Sequence, residues 1–299
     1  MQDRQLHLQE VEAVLQKCFS TNYWTLRLPD GSGNETYFAT SSQQAYFVKI
    51  GVHITRYQAL DSLGLTPPLL ATGFLEDGKS IIVQPLITGR KPSRRDFQIH
   101  LEQVANIVER VHHSPAIQRA LPAASYDQYN VAGSQALTSL HQKWLLYREQ
   151  VTPVADFVDE SLAYLREQVQ CFSGAGLVAS HNDICNANWL LTSQGGLYLI
   201  DLESMAMDDP AVDIGALLWW YFPPMLRHRF MLAAGYADDE SFRHRMHIRM
   251  AMHCLEITLP RDHSFDRFDP TAFPQSLTDF KAIIANAENP QGYDRADLP

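Results

Sequence analysis

The chain is poor in cysteine, in long apolar runs and in basic residues. Its four cysteines, Cys18, Cys171, Cys185 and Cys254, lie far apart and form no CxxC pair, which excludes a disulfide framework and a zinc ribbon. No stretch reaches 18 consecutive apolar residues, so no membrane-spanning helix is expected. The first residues carry Asp3, Arg4 and Glu10 instead of a signal-peptide pattern, and a cytoplasmic protein with reduced thiols is expected. Lys and Arg total 24 against 34 Asp and Glu, a net charge of -10, so the basic face of a nucleic-acid binder is missing. Between Glu167 and Leu226 there is no Lys or Arg, yet Asp183, Asp201, Glu203, Asp208, Asp209 and Asp213 all fall there. Such a segment is expected to attract cations, a divalent metal and a positively charged substrate alike.

What is present is an ordinary globular composition: 299 residues, 45% hydrophobic and 19% charged, without repeats or low-complexity segments. That length accommodates one large domain or two lobes. At the centre of the cation-free span lies His181-x-Asp183-x4-Asn188, followed by Leu199-Ile200-Asp201. His, Asp, Asn and a later Asp at these intervals match the spacing of a phosphoryl-transfer site. Trp189 to Leu191 and Leu197 to Ile200 read as a hairpin around Ser193-Gln194-Gly195-Gly196. With a four-residue loop, Thr192 pairs with Leu197 and Asn188 stands opposite Asp201. An amide oxygen and a carboxylate so placed can hold Mg²⁺, which takes few protein oxygens and leaves positions for a triphosphate. Asp183 then faces the acceptor hydroxyl, orients it and accepts its proton.

The N-terminal third reads as β with helices. Leu8, Val11, Val14, Leu15 and Phe19 recur at helical spacing. Strands are predicted over 23–28, 35–40, 45–50, 69–75 and 80–86, with one helix over 54–63: a small antiparallel α+β lobe. Gly31-Ser32-Gly33-Asn34 in the first turn offers backbone N–H groups to phosphates. Lys49, inside an apolar strand, needs a partner, and nucleotide phosphates supply one. Gln84 to Gly89 reads as a hinge whose backbone, at Gln84 and Leu86, can meet an adenine. Beyond it the chain is mostly helical, with helices predicted over 97–111, 135–148, 154–169, 214–221, 243–257 and 277–287, and 114–130 as a connection.

Taken in order, Gly31-Ser32-Gly33-Asn34-Glu35, Lys49, His181-x-Asp183-x4-Asn188, Leu199-Ile200-Asp201-x-Glu203 and Asp209-Pro210-x-x-Asp213-Ile214-Gly215 resemble the aminoglycoside phosphotransferase and choline kinase superfamily, most closely its choline/ethanolamine and thiamine kinase branches. The resemblance spans about residues 20 to 260. It implies an α+β, bilobal protein-kinase-like fold, with an N-terminal nucleotide lobe over 1–86, a hinge at about 84–89 and a C-terminal catalytic and substrate lobe over 87–299. It further implies ATP as donor and Mg²⁺ as cofactor. Asp183 is then the catalytic base, Asn188 and Asp201 the metal ligands, and Lys49 the phosphate ligand; His181 supports the catalytic loop and Asp213 braces it. The pattern departs from the family in one respect: the helix after the lysine strand has no Glu, since none occurs between Glu35 and Glu76. Asp61 and Gln58 are the candidates left to pair with Lys49.

The acceptor is expected to be a small, cationic alcohol such as choline, ethanolamine or thiamine. Glu203, Asp208, Asp213, Trp219 and Trp220 are its candidate contacts, since aromatic faces beside carboxylates hold ammonium groups. An antibiotic O-phosphotransferase and a nucleotide-binding pseudokinase acting as an interaction module are the alternatives, and the chain is expected to be a monomer or homodimer. His244, His247 and His253 lack an HExxH arrangement, so a zinc site is not expected.

Overall fold

A computed structural model describes residues 2–19, 21, 23–29, 35–260 and 268–293. Two compact units divide the chain: residues 1–91 with 187–204, and residues 92–186 with 205–299.

In the first unit, α1 (Gln2–Cys18) precedes a five-stranded antiparallel sheet of β1 (Thr25–Arg27), β2 (Thr36–Thr40), β3 (Ala45–Ile50), β4 (Ala71–Phe74) and β5 (Ser80–Pro85), in the order β1-β2-β3-β5-β4. Side chains alternate along β3, so Tyr46, Val48 and Ile50 are buried in a core with Tyr37, Ala39, Ile81 and Val83 that Val11 and Leu15 of α1 cover. Lys49 therefore emerges on the opposite face of a central strand. α2 (Ile54–Asp61) follows β3.

A second, three-stranded sheet completes this unit: β6 (Gly89–Arg90), then, after residues of the second unit, β8 (Trp189–Thr192) and β9 (Leu197–Leu199), ordered β6-β8-β9. The hairpin expected within the C-terminal lobe thus groups with the lysine sheet: Gly89 pairs with Thr192, and the Leu199 N–H donates to the Leu65 carbonyl at 2.8 Å. Its register also differs by one residue from the expectation. Trp189 faces Leu199 and Leu191 faces Leu197, all four buried, and Thr192 pairs with Gly196 around a three-residue turn. Gly195 adopts φ +82 in that turn, a left-handed position open to glycine. The apolar pattern decides the register, because the expected pairing would have set Trp189 against Ile200 and split the buried face. Burying Trp189 alone contributes about 2–3 kcal/mol.

The second unit is mainly helical. α3 (Arg94–Ile99) and α4 (Leu101–His113) replace the single helix expected over 97–111, the chain breaking at His100. α5 (Pro115–Ala120) forms inside the predicted connection, with Pro115 in its first turn and Ser114 capping it. α6 (Tyr129–Leu145), α7 (Thr152–Gln170), β7 (Val178–Ser180), β10 (Ala206–Asp208), α8 (Ala211–Trp220), α9 (Pro224–Ala233), α10 (Glu240–Glu256), α11 (Phe273–Ser276) and α12 (Thr278–Ile284) follow. β7 and β10 pair antiparallel, Ser180 facing Ala206. No helix among the described residues is long and apolar enough to cross a membrane.

Candidate functional site

In the first unit, Lys49 Nζ lies 2.7 Å from Asp201 Oδ1 and 2.8 Å from Glu203 Oε2. Burial pulls the Lys49 pKa down, but Tyr57, Asp201 and Glu203 outweigh it and the net shift is upward. Neither Asp61 nor Gln58 is the partner; both belong to an exposed depression beside Leu69 to Thr72. Instead α2 points Arg56 and Tyr57 inward. Arg56 donates to the carbonyls of Leu202 (3.0 Å) and Glu203 (2.7 Å), and the Tyr57 hydroxyl donates to Glu203 Oε1 at 3.2 Å. Burial raises the Glu203 pKa, with the neighbouring Asp201 carboxyl adding to it and Lys49 opposing. Glu203, expected at the substrate, is therefore a lysine partner.

Asp201 stands at φ +59, a left-handed conformation costly for a residue with a Cβ and concentrated at functional sites. The Ile200 N–H donates to the Asn188 carbonyl at 3.0 Å. Asn188 thus opposes Ile200, one residue short of the expected Asp201, and is buried.

The expected nucleotide contacts differ in standing. Gly31, Ser32, Gly33 and Asn34 lie outside the described residues, and Glu35, just after them, pairs with Lys79 at 2.6 Å. Gln84 is buried, and its amide donates to the Pro67 carbonyl. The Leu86 N–H donates to Ala45 at 3.0 Å, extending the β3 and β5 ladder; the adenine-facing role expected for that donor is taken up by the sheet.

In the second unit, the loop after β7 is fixed at both ends. The backbone N–H groups of His181 and Asn182 donate to Asp213 Oδ2 and Oδ1 at 2.6 and 2.9 Å. Asn182, at φ +61, turns the chain so that both reach one carboxylate. His112 Nε2 lies 3.1 Å from the same Oδ2, and its Nδ1 lies 2.6 Å from the Tyr236 hydroxyl. Burial alone would raise the Asp213 pKa; His112 and the His181 N–H reverse it, and the net shift is downward. At the loop's other end the Asn186 N–H donates to the Tyr221 hydroxyl at 2.7 Å, with Tyr221 stacked on Phe97 at 4.1 Å. Asp183 lies between these anchors, partly exposed.

The remaining substrate candidates are otherwise engaged. Asp213 is fully buried as the loop's brace. Asp208 pairs with Arg249 at 2.7 Å, and Asp209 with Arg245 at 2.9 Å, one helical turn apart on α10. The acidic segment that lacks cations of its own is thus largely neutralised by cations from elsewhere in the chain. Trp220 is core, with its indole N–H 3.3 Å from Asp279 and its ring 5.4 Å from His253. Trp219 points the other way, lining a groove of about 860 Å³ with Met231, Met246 and Met250. Sequence reasoning missed His112, Tyr221, Tyr57 and the two arginines of α10; Arg245 and Arg249, four apart on one helix face, were the one legible signal.

The sequence model of the phosphotransferase enzyme family matches residues 24–245. Among solved structures, the choline kinase LicA from Streptococcus pneumoniae is similar at 18% identity and a TM-score of 0.63, over 94% of this chain and 99% of that one. The spectinomycin phosphotransferase APH(9)-Ia in an AMP-bound complex gives 12% and 0.65, over 93% and 96%. A choline/ethanolamine kinase family protein from Mesorhizobium loti gives 17% and 0.61, over 95% and 96%. The mixed α and β architecture, with its five-stranded antiparallel sheet, is the kinase-like fold of these proteins.

Proposed function

The chain belongs to the phosphotransferase enzyme family, and on that premise we propose that it moves the γ-phosphoryl group of ATP to a hydroxyl of a small, cationic alcohol of the choline, ethanolamine or thiamine kind. The observation that carries this reading is the loop holding Asp183: Asp213 takes two backbone N–H groups at its start and Tyr221 takes one near its end, with Asp183 left partly exposed. A carboxylate held this way can orient a hydroxyl and take its proton. The terminal P–O bond of ATP breaks toward the leaving ADP, and a new P–O bond forms to the acceptor oxygen. The acceptor proton passes to Asp183.

In this reading residues 1–91 with 187–204 form the nucleotide lobe, in which Lys49 neutralises phosphate charge. The donor set of Asp201 and Asn188 fits a hard divalent cation. Two protein oxygens would leave the remaining positions of a bound Mg²⁺ open to phosphate oxygens and water. When bound, Mg²⁺ supplies charge neutralisation on the transferring phosphate.

An antibiotic acceptor is the second reading, since phosphotransferases for spectinomycin and a kanamycin-bound relative share the fold. The pairing of Asp208 and Asp209 with arginines favours the smaller, singly charged acceptor, because a polycation needs several uncompensated carboxylates. An ATP-consumption screen against choline, ethanolamine, thiamine, aminoglycosides, macrolides and sugars tests the choice. Acceptor-dependent ADP release with an amino alcohol or thiamine is expected; turnover confined to antibiotics or sugars would replace that acceptor class.

A further inference from the structure

We propose that Tyr57 and the Glu203 carboxylate it holds are the positioning device for Lys49, doing from α2 and the segment after β9 what a glutamate on α2 would otherwise do. The inference rests on the reading that the first unit takes the nucleotide. It begins from an absence: α2 carries no acidic residue toward Lys49, and its buried side chains are Arg56, Tyr57 and Leu60, of which Arg56 and Tyr57 are the polar ones.

These two neighbours fix Glu203 at two levels. Arg56, 5% exposed, donates to the Leu202 and Glu203 carbonyls, one on either side of the Glu203 Cα, and so sets the backbone. Tyr57, 2% exposed, sets the side chain, because a buried phenol needs an acceptor for its O–H and Glu203 Oε1 provides it. Glu203 Oε2 is then left toward the Lys49 ammonium at 2.8 Å. One carboxylate is thereby divided between a phenol fixed in the core and a lysine that must be aimed.

Asp201 holds the same ammonium at 2.7 Å, but its side chain is 50% exposed against 34% for Glu203. Lys49 therefore has one partner built into the fold and one that can be exchanged. An ammonium carries three donors. When phosphate oxygens arrive, Lys49 can give up Asp201 and keep Glu203, so Asp201 becomes available to other ligands without Lys49 losing its aim. A lysine anchored by Asp201 alone would have to abandon its only support at that moment.

The test uses the full chain and a fluorescent ADP analogue, titrated with and without Mg²⁺, beside steady-state kinetics on the acceptor identified by the screen. Tyr57→Phe removes one hydroxyl and keeps the ring, so the fold is retained. It should raise the analogue's Kd about threefold, lower kcat and leave the acceptor KM unchanged. Glu203→Gln should raise Kd about tenfold, and Glu203→Asp, which keeps the charge on a shorter arm, should recover part of that loss. Nucleotide Kd unchanged in both Tyr57→Phe and Glu203→Gln, or a defect confined to the acceptor KM, overturns the anchor while leaving the kinase reading standing. A wild-type chain that does not bind the analogue removes the kinase reading and the anchor with it.

Discussion

The two charged clusters differ in kind. Around Lys49, side chains are 20 to 50% exposed and one cation is shared by two carboxylates. Around Asp213, His112 and the carboxylate are at most 1% exposed, and the acceptors are filled by backbone N–H groups. An exposed pair is screened and contributes at most about 1 kcal/mol, whereas a buried carboxylate that loses its partners costs several. In the first cluster Lys49 can therefore exchange the more exposed Asp201 at small cost. The second cannot, and it is suited to hold a loop still.

The largest effect expected is on chemistry alone. Asp183→Ala should lower phosphoryl transfer about 10³-fold with nucleotide affinity nearly unchanged; retained turnover in a coupled ADP-release assay would remove the base assignment. Asp213→Ala should break the buried brace and cost about 3–5 kcal/mol of stability, read as a fall in the denaturation midpoint. A loss near 1 kcal/mol would erase the contrast between the clusters. Asp201→Asn should leave stability within about 1 kcal/mol and reduce the Mg²⁺ dependence of nucleotide binding; an unaltered metal titration would contradict its role.

The smallest effect is with pH. His247 and His253 both have pKa values lowered below 6.5, chiefly by burial. The unfolded chain then binds more protons than the folded one once pH falls below the unfolded value of about 6.5, so stability is full above it and declines as pH drops toward the folded values. Melting curves from pH 8 to 5.5 should show that decline, and His253→Gln should flatten it.

The sequence displayed short-range order well and long-range partnership poorly. Strand β3, α2 and the His181 to Asn188 spacing are local patterns, and each has its physical cause within a few residues. The hairpin register missed by one because the loop was read from its polar residues, when the four apolar side chains across it decide the pairing. α9 went unrecognised although Pro224 opens it, because its ten residues show little apolar periodicity. The partners of the site were out of reach for a different reason. His112 meets Asp213 across 101 residues and Tyr57 meets Glu203 across 146, and no periodicity carries information over such distances. The same holds for the acidic field: Asp208 and Asp209 were counted as uncompensated because their arginines lie 41 and 36 residues further on.

The hairpin between β8 and β9 also has a practical use. Its register is locked by Trp189, Leu191, Leu197 and Leu199, while Ser193 and Gln194 at its tip are exposed. A reporter peptide inserted between Ser193 and Gln194 would lengthen only the turn, since loop closure grows slowly more costly with length. Asn188 and Asp201 sit just beyond the other end of the ladder, away from the insertion. The tip is thus a place to mount a fluorophore that reads nucleotide arrival without entering the chemistry.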